Sequence, residues 1–199
     1  DGEKMSKSIG NVATVNDLLD SYRGEVLRFA LLTAHYRSPL DFTDDLLAQS
    51  EAALDRLYGA LRDAADVELD TEVTLAGEDF YEALNDDLNT PIAIAAVHEL
   101  ARQLNKAEPA QRAALKARLL AAGDLLGILG QDPETWLQGG AEPDGISADA
   151  VEALIARRQE VKDNRDYARA DAIREELATA GITLEDSRDG TRWRRGSTS

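Results

Sequence analysis

The chain has 199 residues, 43% of them apolar, a formal net charge of −16 and no cysteine. That length buries a sizeable core in one or two domains. No run approaches the eighteen apolar residues of a membrane span, no leader pattern opens the chain, and disulfides and thiolate zinc sites are excluded, which fits a reducing compartment such as the cytoplasm. Averaged over the chain, the charge also argues against nucleic acid, since phosphate binding runs on Lys and Arg.

The charge is unevenly placed. Residues 1–150 hold 12 Lys/Arg against 28 Asp/Glu, whereas residues 151–199 hold 10 of each. Residues 41–100 carry 16 acids and only two bases, Arg56 and Arg62, a stretch that repels phosphate.

Helical periodicity dominates. Thr14 is placed to cap a short segment ending near Tyr22, and Arg23-Gly24 breaks it. From Glu25 to about Arg37, apolar residues lie all round the helix and predict a buried one, which Ser38-Pro39 ends. Thr43 caps a long helix striped by Leu47, Ser50, Leu54, Leu57 and Leu61, and a polar loop follows over residues 65–74. Thr90 reads as the next cap, with Pro91 at the first helical position and Asp86 and Asp87 near the positive helix end. That helix is striped by Ala93, Val97, Leu100 and Leu104. Glu108-Pro109 opens another with Leu115, Leu119, Ala122, Leu126 and Leu129.

The Gly, Pro and Asp content then rises and predicts a linker over residues 138–147. Trp136, after Pro133, is expected to pack the end of the bundle. Beyond the linker, Val151, Leu154, Ile155, Arg158 and Val161 mark one helix, and Tyr167, Ala170, Ile173 and Leu177 mark a second, which Gly181 stops. Residues 182–184 and 191–193 flank the turn-rich residues 186–190, a hairpin signal. The expected fold is therefore mainly α: an antiparallel helical bundle followed by a small α+β domain of a helical hairpin and a β-hairpin.

The strongest chemical signal is Lys4-Met5-Ser6-Lys7-Ser8, followed by Gly10-Asn11. Two ammonium groups three residues apart in a Ser- and Gly-containing loop can converge on one polyphosphate, with hydroxyl and backbone N–H donors beside them. From average residue usage the pentapeptide arises by chance about once in ten thousand chains of this size. In the tail, Trp193 lies among Arg192, Arg194 and Arg195. His35 and His98 have no second ligand nearby and read as packed or surface residues. The Asp86-Asp87 pair lacks a third acidic ligand at metal-loop spacing and reads as helix capping.

Lys4-Met-Ser-Lys-Ser8 is the signature loop of class I aminoacyl-tRNA synthetases. The motifs His35-Tyr-Arg-Ser-Pro-Leu-Asp-Phe42, Leu54-Asp-Arg-Leu-Tyr58, Asp86-Asp-Leu-Asn-Thr-Pro91, Tyr167-Ala-Arg-Ala-Asp171, residues 181–186 and Gly190-Thr-Arg-Trp-Arg-Arg195 then resemble cysteinyl-tRNA synthetase in order, from Glu3 to Arg195. The resemblance implies an ATP-dependent, AMP-forming ligase acting with Mg²⁺ on cysteine and its tRNA. Lys4, Ser6, Lys7 and Ser8 would contact ATP, and Lys4 and Lys7, chiefly Lys7, would be catalytic.

It also implies a division into the signature loop and connecting helices (1–40), a DALR-type tRNA-binding bundle (41–137), the linker (138–147) and an anticodon-binding domain (148–199). A His-Ile-Gly-His motif, a Rossmann catalytic domain and a zinc site of cysteines and histidine belong to the family but not to this sequence. The expectation is a C-terminal part of a longer, monomeric, cytoplasmic enzyme that binds tRNA but is inactive alone.

Single-stranded RNA is read by stacking bases on aromatic or guanidinium planes and by bonding their edges. Trp193 and Tyr167 are the candidate stacking faces, and Arg192, Arg194 and Arg195 supply positive charge. Asp171 and Asp186 are candidate acceptors for a guanine edge of the family's GCA anticodon, with Lys162 assisting. Equally, Trp193 could cover the hairpin on the helices, Asp186 cap its turn, and Asp171 be a solvated helix residue. Two other readings stay open: the related ligase joining cysteine to a glucosaminyl-inositol in mycothiol synthesis, which needs no anticodon domain and is disfavoured by the Trp193 hairpin, and a non-catalytic helical RNA-binding protein.

Overall fold

A computed structural model of the chain describes residues 14–139, 146–187 and 190–196. It is mostly helical and divides into two compact units, residues 1–130 and 131–199. Each is a separate body with its own core.

In the first unit, α1 (Val15–Leu19) is started by a full capping box, in which Thr14 Oγ1 accepts from the Asp17 N–H and the Asp17 carboxylate accepts from the Thr14 N–H. The next helix, α2 (Gly24–Leu32), is shorter than its apolar run suggests. It buries Val26, Leu27, Phe29 and Ala30 but leaves Leu31 exposed, so it is buried on one side rather than all round. Thr33 Oγ1 donates to the Ala30 carbonyl at its end, and residues 35–38 turn, with the Ser38 N–H donating to the His35 carbonyl.

Helix α3 (Asp44–Arg62) follows the Thr43 cap and buries the whole expected stripe. A helix without a sequence forecast, α4 (Glu78–Asn85), packs Phe80 and Ala83 inward. Then come α5 (Thr90–Lys106) and α6 (Pro109–Leu126), antiparallel neighbours, with α5 packed against α2, α3, α4 and α6.

Two caps differ from the sequence reading. No side chain caps α5: Thr90 Oγ1 turns to the Ala34 carbonyl at 3.4 Å. Asp87 does not serve the helix end either. It sits in a strained turn where Asp87 and Leu88 both have positive φ (53° and 55°) and accepts from Tyr36 Oη and Arg37.

Glu25 ties three elements of this unit together. Its carboxylate accepts from Tyr58 Oη of α3 at 2.9 Å and from the Leu129 backbone N–H at 2.8 Å. Leu129 has φ 60°, and the chain reaches it across the left-handed Gly127 that ends α6. Helix α6 is pressed close there: a Cβ on Gly123 would meet the Ile128 carbonyl oxygen at 2.9 Å. His98 is half-buried and edge-on to Phe29, and burial pushes its pKa down.

The second unit holds α7 (Pro133–Gln138), α8 (Ala148–Asp163), α9 (Tyr167–Thr179) and an antiparallel hairpin of β1 (Ile182–Ser187) and β2 (Gly190–Arg195). The pairing sets Leu184 opposite Trp193 and Asp186 opposite Thr191. Its core is Val151, Ile173, Leu177, Ile182 and Trp193. Trp136 is buried on α7, which packs against β2 within this unit. Composition alone places the interdomain break at 138–147, whereas the packing places it after Gly130.

Candidate nucleic-acid interface

Lys4, Ser6, Lys7 and Ser8 lie outside the described residues. The tail candidates are all described, and the structure sorts them into two groups.

The first group is inward. The indole of Trp193 is 1% exposed, and its Nε1 donates to Glu152 Oε1 on α8 at 2.6 Å. Trp193 therefore covers the helices and offers no stacking face. Arg195 lies over this ring at 5.7 Å, and its guanidinium donates to the carbonyls of Gln138 and Ile146. Arg194 Nε pairs with Glu185 at 3.1 Å. Of the run from Arg192 to Arg195, Arg195 is thus committed to the protein on the indole side of the strand, and Arg194 to Glu185 on the opposite, outward side, because alternate residues of a strand face opposite sides. Arg192, the other outward residue of that run, is exposed.

The second group converges on one carboxylate. Asp186 is not in a turn but in β1, where Arg158 from α8 grips it with both arms, Nη1 to Oδ1 at 2.9 Å and Nη2 to Oδ2 at 2.8 Å. Thr191 Oγ1 donates to Oδ1 at 2.6 Å, and Lys162 Nζ stands 3.7 Å from Oδ2. The Arg158 side chain is 6% exposed while that of Asp186 is 48% exposed. The fork from Arg158, then the Thr191 hydroxyl, hold the Asp186 carboxyl well below the usual carboxylate range. The result is a fixed anion that faces water, anchored from beneath by a buried cation. Oδ1 takes two hydrogen bonds and Oδ2 one, and Lys162 stands beyond hydrogen-bond distance of Oδ2, the most loosely held of the three partners.

Around it, Asp171 on α9 interacts electrostatically with the same Arg158. Tyr167, four residues earlier on that helix and 63% exposed, opens α9 beside the Asp166 cap. Lys162, Tyr167, Asp171 and Asp186 are thus carried by elements that meet at Arg158, leaving an exposed ring, two carboxylates and one ammonium. Stacking and edge-bonding to an unpaired base need groups of these kinds.

Arg158, Thr191 and Glu152 are residues the sequence reading did not assign. For Arg158 a signal was present: it falls on the apolar stripe of α8, and a charge there requires a buried partner. Thr191 and Glu152 carry no such mark.

Comparison with known proteins places these units. Residues 1–52 match the family described as tRNA synthetases class I (C) catalytic domain, residues 79–130 the DALR domain, and residues 146–194 the cysteinyl-tRNA ligase anticodon binding domain. The cysteine–tRNA ligase of Paramagnetospirillum magneticum is 51% identical over 197 residues, and that of Saccharophagus degradans 52% over 199. That of Neisseria meningitidis serogroup B is 46% identical over 200 residues. Each alignment takes in 98% of this chain, which spans only 41 to 43% of the length of these relatives. With three family matches in order and about half of all positions identical along nearly its whole length, the chain belongs to the cysteinyl-tRNA synthetase family, corresponding to its C-terminal part.

Proposed function

We propose that this chain is the ATP-loop and tRNA-handling part of a cysteine–tRNA ligase, acting in the cytoplasm as a monomer. The observation that supports it best is the order of the three family matches together with the polar face built on Arg158. In this reading residues 1–40 bring the signature loop and connecting helices, 41–130 the tRNA-binding bundle, and the unit from residue 131 onward carries the anticodon-binding domain.

Lys4, Ser6, Lys7 and Ser8 hold the ATP phosphates. Lys7 adds positive charge where negative charge grows as the cysteine carboxylate attacks the α-phosphorus and pyrophosphate departs. Mg²⁺ bound with ATP would neutralise part of the phosphate charge beside Lys4 and Lys7. Adenylate formation is followed by transfer of the cysteinyl group to the terminal adenosine of its tRNA.

In the tail, Tyr167 stacks an anticodon base. Asp171 accepts from a base edge directly, and Asp186 does so when Lys162 moves aside toward the RNA. Arg192 adds charge at the rim. Trp193, Arg194 and Arg195 keep the hairpin in place, so their effect on RNA is through folding.

The test is binding of the 199-residue chain to a tRNA bearing GCA and to one with a single altered anticodon base, across a salt series. A preference for GCA that Tyr167→Ala and Asp171→Asn reduce, with unchanged circular dichroism, supports the assignment. Equal binding of both tRNAs at every salt refutes it. For the loop, Lys7→Ala in a full-length enzyme should lower the activation rate far more than ATP affinity, and equal loss of both would refute a transition-state role.

A further inference from the structure

Residues 101–118 depart from the acidic character of the first unit, with five bases, Arg102, Lys106, Arg112, Lys116 and Arg118, against one acid, Glu108. The fold divides the five by purpose. Arg112 donates to the Asp63 carbonyl at 2.7 Å, and Lys116 Nζ to the carbonyls of Ala64 and Val67 at 2.8 and 2.7 Å. Those two close the C-terminal end of α3, where free carbonyls and the helix dipole favour cations.

The other three serve no such end. Arg102 and Lys106 on α5 and Arg118 on α6 line a groove of about 570 Å³. Ala107, Ala110 and Ala114 also line it, and their small side chains leave the space unfilled. Arg102 is held by Glu99 on its own helix, Nε to Oε2 at 2.7 Å, which drives the Glu99 pKa down to about 2 and leaves Nη1 of the guanidinium unused by that pair. Lys106 and Arg118 are exposed and lie in no ion pair among the described residues. Glu99 offsets Arg102 and also attracts Lys106, which leaves Arg118 without an offsetting anion among the described residues and the trough with more positive than negative charge.

We propose that the α5–α6 groove is a phosphodiester site, taking the backbone of an RNA stem independently of its sequence. On the same walls the Gln111 amide supplies a donor and an acceptor suited to ribose hydroxyls, and Gln103, whose amide nitrogen donates to Glu99, presents its oxygen. Guanidinium groups match phosphate oxygens in pairs, and Lys106 contributes a mobile point charge. The site rests on the reading that this chain handles tRNA, but it is separate from the anticodon face: it contributes affinity and no base preference.

The experiment measures binding of the 199-residue chain to GCA tRNA and to the altered-anticodon tRNA between 50 and 200 mM salt, with wild type and Lys106→Gln/Arg118→Gln. Removing two phosphate contacts should flatten the slope of log K against log salt by roughly 1.4 to 1.8, equally for both tRNAs, with the ratio of their affinities unchanged. Gln is a good helix former, so the fold is retained. A second variant, Ala114→Glu, places a carboxylate in the groove and should weaken both tRNAs alike.

An unchanged slope in the double variant overturns the site even if the GCA preference is intact. A flattened slope without any GCA preference supports the groove and removes the anticodon reading instead. Competition by tripolyphosphate or polyglutamate at the same charge concentration as effectively as by an RNA duplex overturns the assignment to RNA backbone.

Discussion

Replacing Asp186 by Asn should destabilise the second unit while leaving the first untouched. The carboxylate takes two charge-assisted bonds from Arg158, one bond from the Thr191 hydroxyl and the field of Lys162. Bonds to charged groups contribute about 1.5–3 kcal/mol each, but half of the Asp186 side chain is open to water, which screens the pair. Asn keeps one acceptor and turns an amide toward a buried guanidinium. We expect a net loss of roughly 2–3 kcal/mol, less than the 3–5 kcal/mol of a fully buried pair broken on one side.

The protein supplies its own reporter. Its two tryptophans, Trp136 and Trp193, are both buried in the second unit, so intrinsic fluorescence during urea unfolding follows that unit alone. The wild-type advantage should also be pH-dependent. Because the folded carboxyl titrates below its ordinary 3.8, the stabilisation is complete above that value and is lost as pH falls below it toward the folded pKa. A loss under about 0.5 kcal/mol at pH 7, or an equal wild-type advantage at pH 7 and pH 3, would refute this account of the Arg158 pair.

Other outcomes follow from local geometry. Gly123→Ala puts a Cβ 2.9 Å from the Ile128 carbonyl oxygen and 3.0 Å from Leu129 Cβ, and overpacking of this kind should cost about 1–3 kcal/mol in thermal unfolding of the first unit, followed by circular dichroism. Glu25→Ala strips the acceptor from Tyr58 Oη and from the Leu129 N–H and should cost about 2–3 kcal/mol, with Tyr58→Phe milder at about 1 kcal/mol. His98, its pKa depressed by burial and then by Arg56, favours the folded state while neutral. Stability of the first unit should therefore hold above about pH 6.5 and decline below it, and His98→Phe should flatten that decline. Trp193→Phe should lower second-unit stability by about 1–2 kcal/mol through loss of the bond to Glu152, while leaving the ratio of GCA to altered-anticodon affinity unchanged.

Period and punctuation carry the helices into the sequence. The stripe Leu47, Ser50, Leu54, Leu57, Leu61 and the Thr43 cap are local facts, repeated every turn, and they fold as read. The hairpin signal also holds, although Asp186 joins the strand because pairing continues to Ser187 and Gly190. Other features depend on partners far away in the chain. Helix α2 stops early because its last turn meets solvent and Thr33 bonds backward, and Thr90 forsakes the cap because the Ala34 carbonyl, 56 residues away, lies beside it.

The tail shows the division most sharply. Sequence alone supplied a cluster of Arg and Trp, two acids and a Tyr, types suited to RNA. Which of them face water is a matter of strand alternation and of what α8 presents beneath. Glu152 draws Trp193 inward, and Arg158, 28 residues away, fixes Asp186 outward. Composition in the same way located the bases of α5 and α6, but only tertiary packing turned Arg112 and Lys116 onto α3 and left Arg102, Lys106 and Arg118 around an open groove, since a cation's partners are set by proximity in space and not along the chain.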